Sequence, residues 1–203
     1  MRVLPASAAS LAAAAALLAD GAVVAVPTDT VYGLAARLDD DAALGRLFAA
    51  KRRPATAPIA VLCATTAGAR GVATQWPPSA ARLARRFWPG PLTMVLAAPP
   101  ALAARLGATG GVGVRVPDDA VCRALLEVTG PLAVTSANRH GGVPATTSEA
   151  VVASLGDDVA AVLDGGVRDG VVSTVVDLTG PAPLVLREGA VPASAVLAAL
   201  SAA

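Results

Sequence analysis

The sequence predicts an α/β fold in which helices flank a mixed β-sheet. Short apolar runs, typical of buried strands, alternate along the chain with segments of helical character. Hydrophobic residues make up 55% of the 203 residues, enough for a packed core. The strands predicted on either side of Gly180 and Pro181 are too close in sequence for a crossover helix, so the sheet should not be wholly parallel. Because the composition shows no break, we expect a single domain over residues 1–203.

The order of the predicted strands and helices follows from short local patterns. Apolar runs bounded by glycine or proline favour strands, whereas acidic residues or proline in a first turn favour helices. We predict strands at residues 22–26, 59–63, 92–97, 112–116, 132–135, 160–163, 174–178 and 184–186. We predict helices at residues 8–19, from 39 to the residues before Pro54, at 80–87, 119–128 and 148–155, and from Pro192 onward.

The N-terminal segment resembles a signal peptide, because Arg2 precedes an alanine- and leucine-rich run at residues 8–19. However, Pro5 interrupts the start of the segment, and the run is too short to span a bilayer. Ser7 could cap a helix that ends at Gly21, and Ser10 is the alternative cap. We therefore predict a first helix packed on the domain and a cytoplasmic protein.

Composition excludes several kinds of site. The formal net charge of +1 gives no global attraction to nucleic acid or anionic lipid. Cys63 and Cys122 are too few for a disulfide framework and are expected to be buried thiols, and with His140 as the single histidine a zinc site is improbable. The phosphate-loop, dinucleotide-binding and nucleophile-elbow motifs are absent from the sequence. Any nucleotide phosphate must therefore be held by separate basic side chains and loop amides.

The chain contains a single lysine, Lys51, whereas the other fifteen of its sixteen basic residues are arginine. This usage suggests a position that needs a compact ammonium group rather than a planar guanidinium. Pro54 should end the helix, so that Lys51 and Arg53 could converge on a polyphosphate. The alternative is that cations simply favour a helix C-terminus, and taken alone this alternative is the better one.

Polar residues follow two predicted strands, where α/β proteins commonly bind ligands. Residues 27–33 (PTDTVYG) contain hydroxyl groups, a carboxylate and Tyr32, the only tyrosine, which could close over a small substrate. Residues 135–138 (TSAN) could bind phosphate or an amino acid. In both segments the alternative is a polar turn stabilised by its own side chains.

Further candidate residues lie within or beside strands. Arg115 lies inside a predicted strand, where a charge is costly unless it is paired or lines a cleft. Ser173 precedes a strand, and Arg187 follows one, although Arg187 could merely pair with Glu188.

Together these segments make the chain resemble the YrdC family, from about Gly21 to the C-terminus. Seven motifs occur in the family's order, at residues 27–33 (PTDTVYG), 51–54 (KRRP), 88–93 (WPGPLT), 114–117 (VRVP), 135–138 (TSAN), 173–177 (STVVD) and 186–189 (LREG). The resemblance implies a twisted mixed sheet around a concave, electropositive cleft. It also implies an enzyme that converts L-threonine, bicarbonate or carbon dioxide, and ATP to threonylcarbamoyl-adenylate and pyrophosphate, for modification of tRNA.

The resemblance also implies roles for individual residues. The positions that match threonine-binding residues are Thr30, Arg115 and Ser173. The positions that match ATP-binding residues are Lys51, Arg53, Ser136 and Arg187, with Asn138 in the same loop as Ser136. Lys51 and Arg53 are the catalytic candidates, because positioned cations can stabilise charge on the phosphates without a covalent nucleophile. Magnesium is expected to arrive with ATP, and no metal site formed by the protein is expected.

Two departures from the pattern of the YrdC family and two alternative functions stay open. Some relatives have histidine where Leu62 stands and asparagine where Ala57 stands. Other relatives carry an additional C-terminal domain, which we do not expect here. The chain could instead be a non-catalytic RNA-binding module, although it has few aromatic residues to stack on bases, or a domain that transfers a carbamoyl group to another acceptor. tRNA or downstream tRNA-modification proteins are further candidate partners, and no membrane partner is expected.

Overall fold

The computed structural model describes residues 1–52, 54 and 56–201. Its strands are β1 (Arg2–Pro5), β2 (Val24–Val26), β3 (Gly33–Arg37), β4 (Ala60–Leu62), β5 (Leu92–Ala97), β6 (Gly111–Arg115), β7 (Leu132–Ser136), β8 (Ala161–Asp164), β9 (Thr174–Asp177) and β10 (Leu184–Arg187). Its helices are α1 (Ala8–Ala19), α2 (Asp41–Lys51), α3 (Thr66–Val72), α4 (Pro78–Phe87), α5 (Pro100–Arg105), α6 (Ala120–Thr129), α7 (Ser148–Leu155) and α8 (Ala193–Ser201).

These strands form one sheet in the order β1-β8-β2-β3-β7-β4-β6-β5-β9-β10. The pairs β1–β8, β2–β8, β4–β6 and β5–β9 are parallel, and the remaining neighbours are antiparallel. β9 and β10, on either side of Gly180 and Pro181, form one of the antiparallel pairs. The predicted mixed sheet with flanking helices is therefore confirmed.

Four elements were not predicted, namely β1, β3, α3 and α5. β3 is rich in alanine, and it forms because it pairs with β2 on one side and with β7 on the other. A Cβ atom at Gly33 would lie 2.5 Å from Cγ1 of Val134, so the close approach of β7 requires glycine at this position. α3 contains two glycines but is capped by the Thr65 side chain, which accepts a hydrogen bond from the Gly68 amide at 3.1 Å.

The first helix was predicted, and it packs on the domain. The Ser7 side chain caps α1 by accepting a hydrogen bond from the Ser10 amide at 3.2 Å. Ala14 and Leu18 are fully buried, and the small side chain at Ala14 permits close packing. Within the described ranges, no helix is both long and apolar enough to cross a bilayer.

Buried hydrophobic residues form two clusters, one on each face of the sheet. Along β2, Val24 and Val26 belong to one cluster and Ala25 to the other, as expected for side chains that alternate across a strand. Leu18 of α1 lies in the first cluster, and Leu83 of α4 in the second. α1 and α4 therefore cover opposite faces of the sheet.

The two cysteines are buried free thiols, as predicted, and each belongs to a different cluster. Burial raises the pKa of the Cys63 thiol to about 12, and it also raises the pKa of Cys122. Both side chains therefore act as small apolar groups in the core.

Replacing Leu18 with alanine should lower the free energy of unfolding by about 2–5 kcal/mol, because it opens a cavity between α1 and the sheet. The matched control is Leu197→Ala on α8, where the residue is 53% exposed and the loss should stay below about 0.5 kcal/mol. Urea unfolding monitored by circular dichroism measures both values. Equal losses in the two variants would contradict the packing of α1 on the domain.

Candidate functional site

A cavity of about 630 Å³ lies over the central strands of the sheet. Five of the residues to which the resemblance assigns a substrate-binding role line it, although they are far apart in the chain: Thr30, Arg115, Ser136, Ser173 and Arg187. The fold brings them together because β6, β7 and β10 end with residues that line the cavity, Ser173 directly precedes β9, and Thr30 lies in the turn between β2 and β3. Leu62, noted in the sequence as a departure from the YrdC pattern, also lines the cavity with an apolar side chain.

Arg115, the last residue of β6, is only 5% exposed. Its Nε donates to the Gly90 carbonyl at 3.0 Å, Nη1 donates to Oγ1 of Thr30 at 3.1 Å, and Nη2 forms an ion pair with Asp29. Burial lowers the pKa of Arg115, and the Asp29 carboxylate opposes this shift. The guanidinium is therefore a fixed positive charge at the edge of the cavity.

Asp29 contributes the carboxylate noted in residues 27–33, but we assigned it no individual role from the sequence. Its carboxylate pairs with Arg115, and both side chains are largely buried. A signal was present, because an arginine inside an apolar strand needs an anionic partner and Asp29 belongs to a polar segment beside a strand end.

The turn at residues 27–33 is built by its own hydroxyl groups. Oγ1 of Thr28 donates to the Val31 carbonyl at 2.6 Å and accepts from the Thr30 amide at 3.2 Å. This arrangement is the polar turn considered as the alternative, yet it also places the Thr30 hydroxyl against Arg115. The segment is therefore both a polar turn stabilised by its own side chains and a candidate ligand-binding segment.

Tyr32 is fully buried, although part of it lines the cavity. Its hydroxyl donates to the Gly166 carbonyl at 2.8 Å and accepts from the Gly165 amide at 3.0 Å. Burial is the main cause that raises the pKa of Tyr32. The tyrosine thus anchors the segment after β8 and does not form a movable cover over the cavity.

Lys51 is the last residue of α2 and is 1% exposed. Its Nζ donates to the carbonyls of Ser136 and Asn138, the latter at 2.6 Å. The Ser136 hydroxyl and the Asn138 side-chain oxygen lie 3.5 and 3.4 Å from the same atom. The ammonium group therefore fastens the loop after β7 to the end of α2. Arg53, the second predicted cation of this motif, lies outside the described residues.

Asn138 shapes the same loop and is 5% exposed. Its Nδ2 donates to the carbonyls of Arg139 and Gly142 at 2.7 and 2.8 Å. Lys51 and Asn138 therefore hold the backbone on which Ser136 is presented to the cavity.

Ser173 and Arg187 contact each other across β9 and β10. Nη2 of Arg187 donates to the Ser173 carbonyl at 2.8 Å and lies 3.2 Å from its hydroxyl oxygen. Burial, and next the positive charge of Arg115, lower the pKa of Arg187. The described contacts of Arg187 are therefore with Ser173, rather than with Glu188 as the alternative held. Thr93 was not assigned a role from the sequence. Its hydroxyl oxygen lies 2.9 Å from the hydroxyl oxygen of Ser173.

Comparisons with known proteins show which family the chain belongs to. The family model for Sua5, YciO and YrdC, described as "Telomere recombination", matches residues 16–189. Threonylcarbamoyl-AMP synthase of Pyrococcus abyssi is 40% identical over 184 residues, which are 88% of this chain and 54% of the relative. The human protein of the same name is 37% identical over 190 residues, 89% of this chain and 67% of the relative.

A solved structure shows the same fold. The crystal structure of P. abyssi Sua5 complexed with L-threonine matches 99% of this chain and 61% of that one, with a TM-score of 0.91 and 34% identity. The chain thus spans little more than half the length of the archaeal relative. The match of the family model to most of the chain, together with these identities and the shared fold, shows that the chain belongs to the Sua5/YciO/YrdC family.

Proposed function

We propose that this protein is a threonylcarbamoyl-AMP synthase, which condenses L-threonine, bicarbonate or carbon dioxide, and ATP to threonylcarbamoyl-adenylate and pyrophosphate. The observation that carries the proposal is the meeting of Thr30, Arg115, Ser136, Ser173 and Arg187 in one cavity. Relatives of this chain bear the name of that activity, and the fold is shared with a relative complexed with L-threonine.

The end of the cavity near Arg115 suits threonine. A guanidinium pairs well with a carboxylate, and Gly90, Thr30 and Asp29 hold Arg115 in one orientation through three of its five N–H donors. The hydroxyl groups of Thr30 and Ser173 supply further hydrogen bonds at the same end. We therefore assign threonine to these three residues.

ATP is assigned to Ser136, Asn138, Arg187, Lys51 and Arg53. Ser136 and Arg187 line the cavity, whereas Lys51 and Asn138 hold the loop that carries Ser136. Lys51 and Arg53 are proposed as catalytic cations, since α2 ends beside that loop. For Lys51 the contacts support a role in fixing the phosphate-binding loop as well as a direct contribution of charge.

Magnesium is proposed to enter on the phosphates of ATP. Mg²⁺ takes oxygen ligands and commonly keeps several waters beside the phosphates, so it needs few protein groups. The hydroxyl of Ser136 and the carboxylate of Asp177 line the cavity and are suitable oxygen donors. When bound, the ion would neutralise negative charge on the phosphates.

The proposed chemical step is a displacement at the α-phosphorus of ATP. A carbamate oxygen of N-carboxylated threonine forms the new bond to phosphorus, and the bond from phosphorus to the pyrophosphate oxygen breaks. The electron pair leaves with pyrophosphate, so negative charge grows on oxygens that face Arg187 and the loop held by Lys51. Preorganised cations and dipoles stabilise such charge, and the step therefore needs no covalent nucleophile.

The product is proposed to serve tRNA modification in the cytoplasm. tRNA or the proteins that consume threonylcarbamoyl-adenylate are the proposed downstream partners, in keeping with the activity named for the relatives.

Pyrophosphate release from ATP should depend on both L-threonine and bicarbonate, because the nucleophile is the carbamate formed from the two. Omitting either one should reduce the rate to the background level in a coupled pyrophosphate assay. Equal release without threonine would contradict the proposed activity. Tight RNA binding without any turnover would favour the binding-module alternative instead.

Replacing Lys51 with arginine should lower threonine-dependent turnover at least about tenfold, or about 1.4 kcal/mol. The enclosure around Nζ is formed by the carbonyls of Ser136 and Asn138, and a larger planar guanidinium would displace the loop. The matched control is Arg52→Lys, because Arg52 is the neighbouring basic residue and is exposed. Steady-state rates measure the turnover of both variants, and thermal unfolding shows whether they are folded. Full activity of Lys51→Arg would contradict the role of the ammonium group.

A further inference from the structure

Thr93 lies on β5, on the face of the strand that lines the cavity. Its neighbours Leu92 and Met94 belong to the hydrophobic core, whereas Thr93 and Val95 line the cavity. Thr93 is 6% exposed, and its hydroxyl lies 2.9 Å from that of Ser173. An apolar side chain would satisfy packing at this position. The buried hydroxyl group, which contacts the candidate substrate-binding residue Ser173, therefore indicates a further role.

The orientation of Thr93 is fixed by its two neighbouring strands. β6 and β9 flank β5, and a Cβ atom at Gly113 of β6 would lie 3.1 Å from Cγ2 of Thr93. The methyl group thus faces β6, and the hydroxyl faces Ser173 beside β9. Because threonine is stiff about χ1, this arrangement holds the hydroxyl in place.

The hydrogen-bond inventory of Ser173 limits what it can offer to a ligand. A hydroxyl has one proton and two lone pairs, and arginine can only donate. Nη2 of Arg187, 3.2 Å from Oγ of Ser173, therefore uses one lone pair. If Thr93 donates to the second lone pair, the Ser173 proton must point elsewhere. If Ser173 donates to Thr93 instead, it has no proton left for a ligand.

We propose that Thr93 is a positioning residue, which donates to Ser173 and thereby directs the Ser173 proton to the carboxylate of bound L-threonine. The inference rests on the proposed function and extends it to a residue that does not itself need to touch the substrate. The positive charges of Arg115 and Arg187 at the same cavity attract an anionic ligand, and the carboxylate of that ligand is the acceptor that draws the Ser173 proton into the cavity.

The test compares Thr93→Val with Thr93→Ser. Valine keeps the size and branching of threonine but lacks the hydroxyl, whereas serine keeps the hydroxyl. Thr93→Val should weaken L-threonine binding about five- to tenfold, as expected for one lost hydrogen bond. The KM for L-threonine should rise in parallel, while kcat and the KM for ATP stay near their wild-type values. Thr93→Ser should restore binding to within about twofold of wild type.

Binding of L-threoninamide, which lacks the carboxylate, distinguishes an effect of Thr93 on the orientation of the Ser173 proton from an effect on packing. Calorimetry should show that Thr93→Val weakens its binding clearly less than that of L-threonine, because a hydrogen bond to the neutral carbonyl is about half as strong as one to a carboxylate. The control variant is Thr129→Val at the end of α6, where the lost hydroxyl bonds to the Leu125 carbonyl and L-threonine binding should not change. Thermal unfolding confirms that each variant is folded.

Two results would overturn the inference while leaving the proposed function intact. One is wild-type affinity of Thr93→Val for L-threonine in an enzyme that shows threonine-dependent turnover. The other is an equal loss of affinity for L-threonine and L-threoninamide. A wild-type protein with no threonine-dependent pyrophosphate release would overturn the proposed function, and this inference with it.

Discussion

The burial of the Arg115 guanidinium is the constraint on which the geometry of the site depends. A buried charge is tolerated only if it is paired and hydrogen-bonded, and removing one partner of such a pair costs about 3–5 kcal/mol. Arg115 meets this requirement through Asp29, Thr30 and the Gly90 carbonyl. These partners belong to two different loops, so the need to satisfy one cation positions both loops around the end of β6.

Lys51 imposes a similar constraint on the loop after β7. Its buried ammonium group satisfies carbonyls of the loop after β7, and in doing so links that loop to α2. Three hydrogen-bond donors on a short ammonium head can bind several oxygens within a small space, which a planar guanidinium does less well. The local structure thus gives a physical reason for the only lysine in a chain that otherwise uses arginine.

The sequence predicted the elements that have a local pattern of burial, and it missed those that depend on contacts between residues far apart in the chain. Strands such as β5 and β6 were predicted because apolar runs record burial directly. β3 was missed because its alanines have little strand preference, and its pairing with β2 and β7 decides its conformation. The separate site motifs were predicted, yet the contacts of Asp29 with Arg115 and of Thr93 with Ser173 join residues far apart in sequence. A local pattern can indicate that Arg115 needs an anionic partner, but which residues pair becomes visible only when the sheet order is known.

The composition also explains why there is space for a ligand above a fully paired sheet. The floor of the cavity includes Gly111 and Gly113 of β6 and Ala60 of β4. A Cβ atom at Gly111 would lie 2.7 Å from Cγ2 of Thr179, and one at Gly113 would lie 3.1 Å from Cγ2 of Thr93. A side chain at Gly111 would therefore collide with Thr179, and one at Gly113 would displace the methyl group of Thr93. The small residues that permit close packing elsewhere in the chain here leave room for substrates, and they allow the polar groups around them to keep their positions.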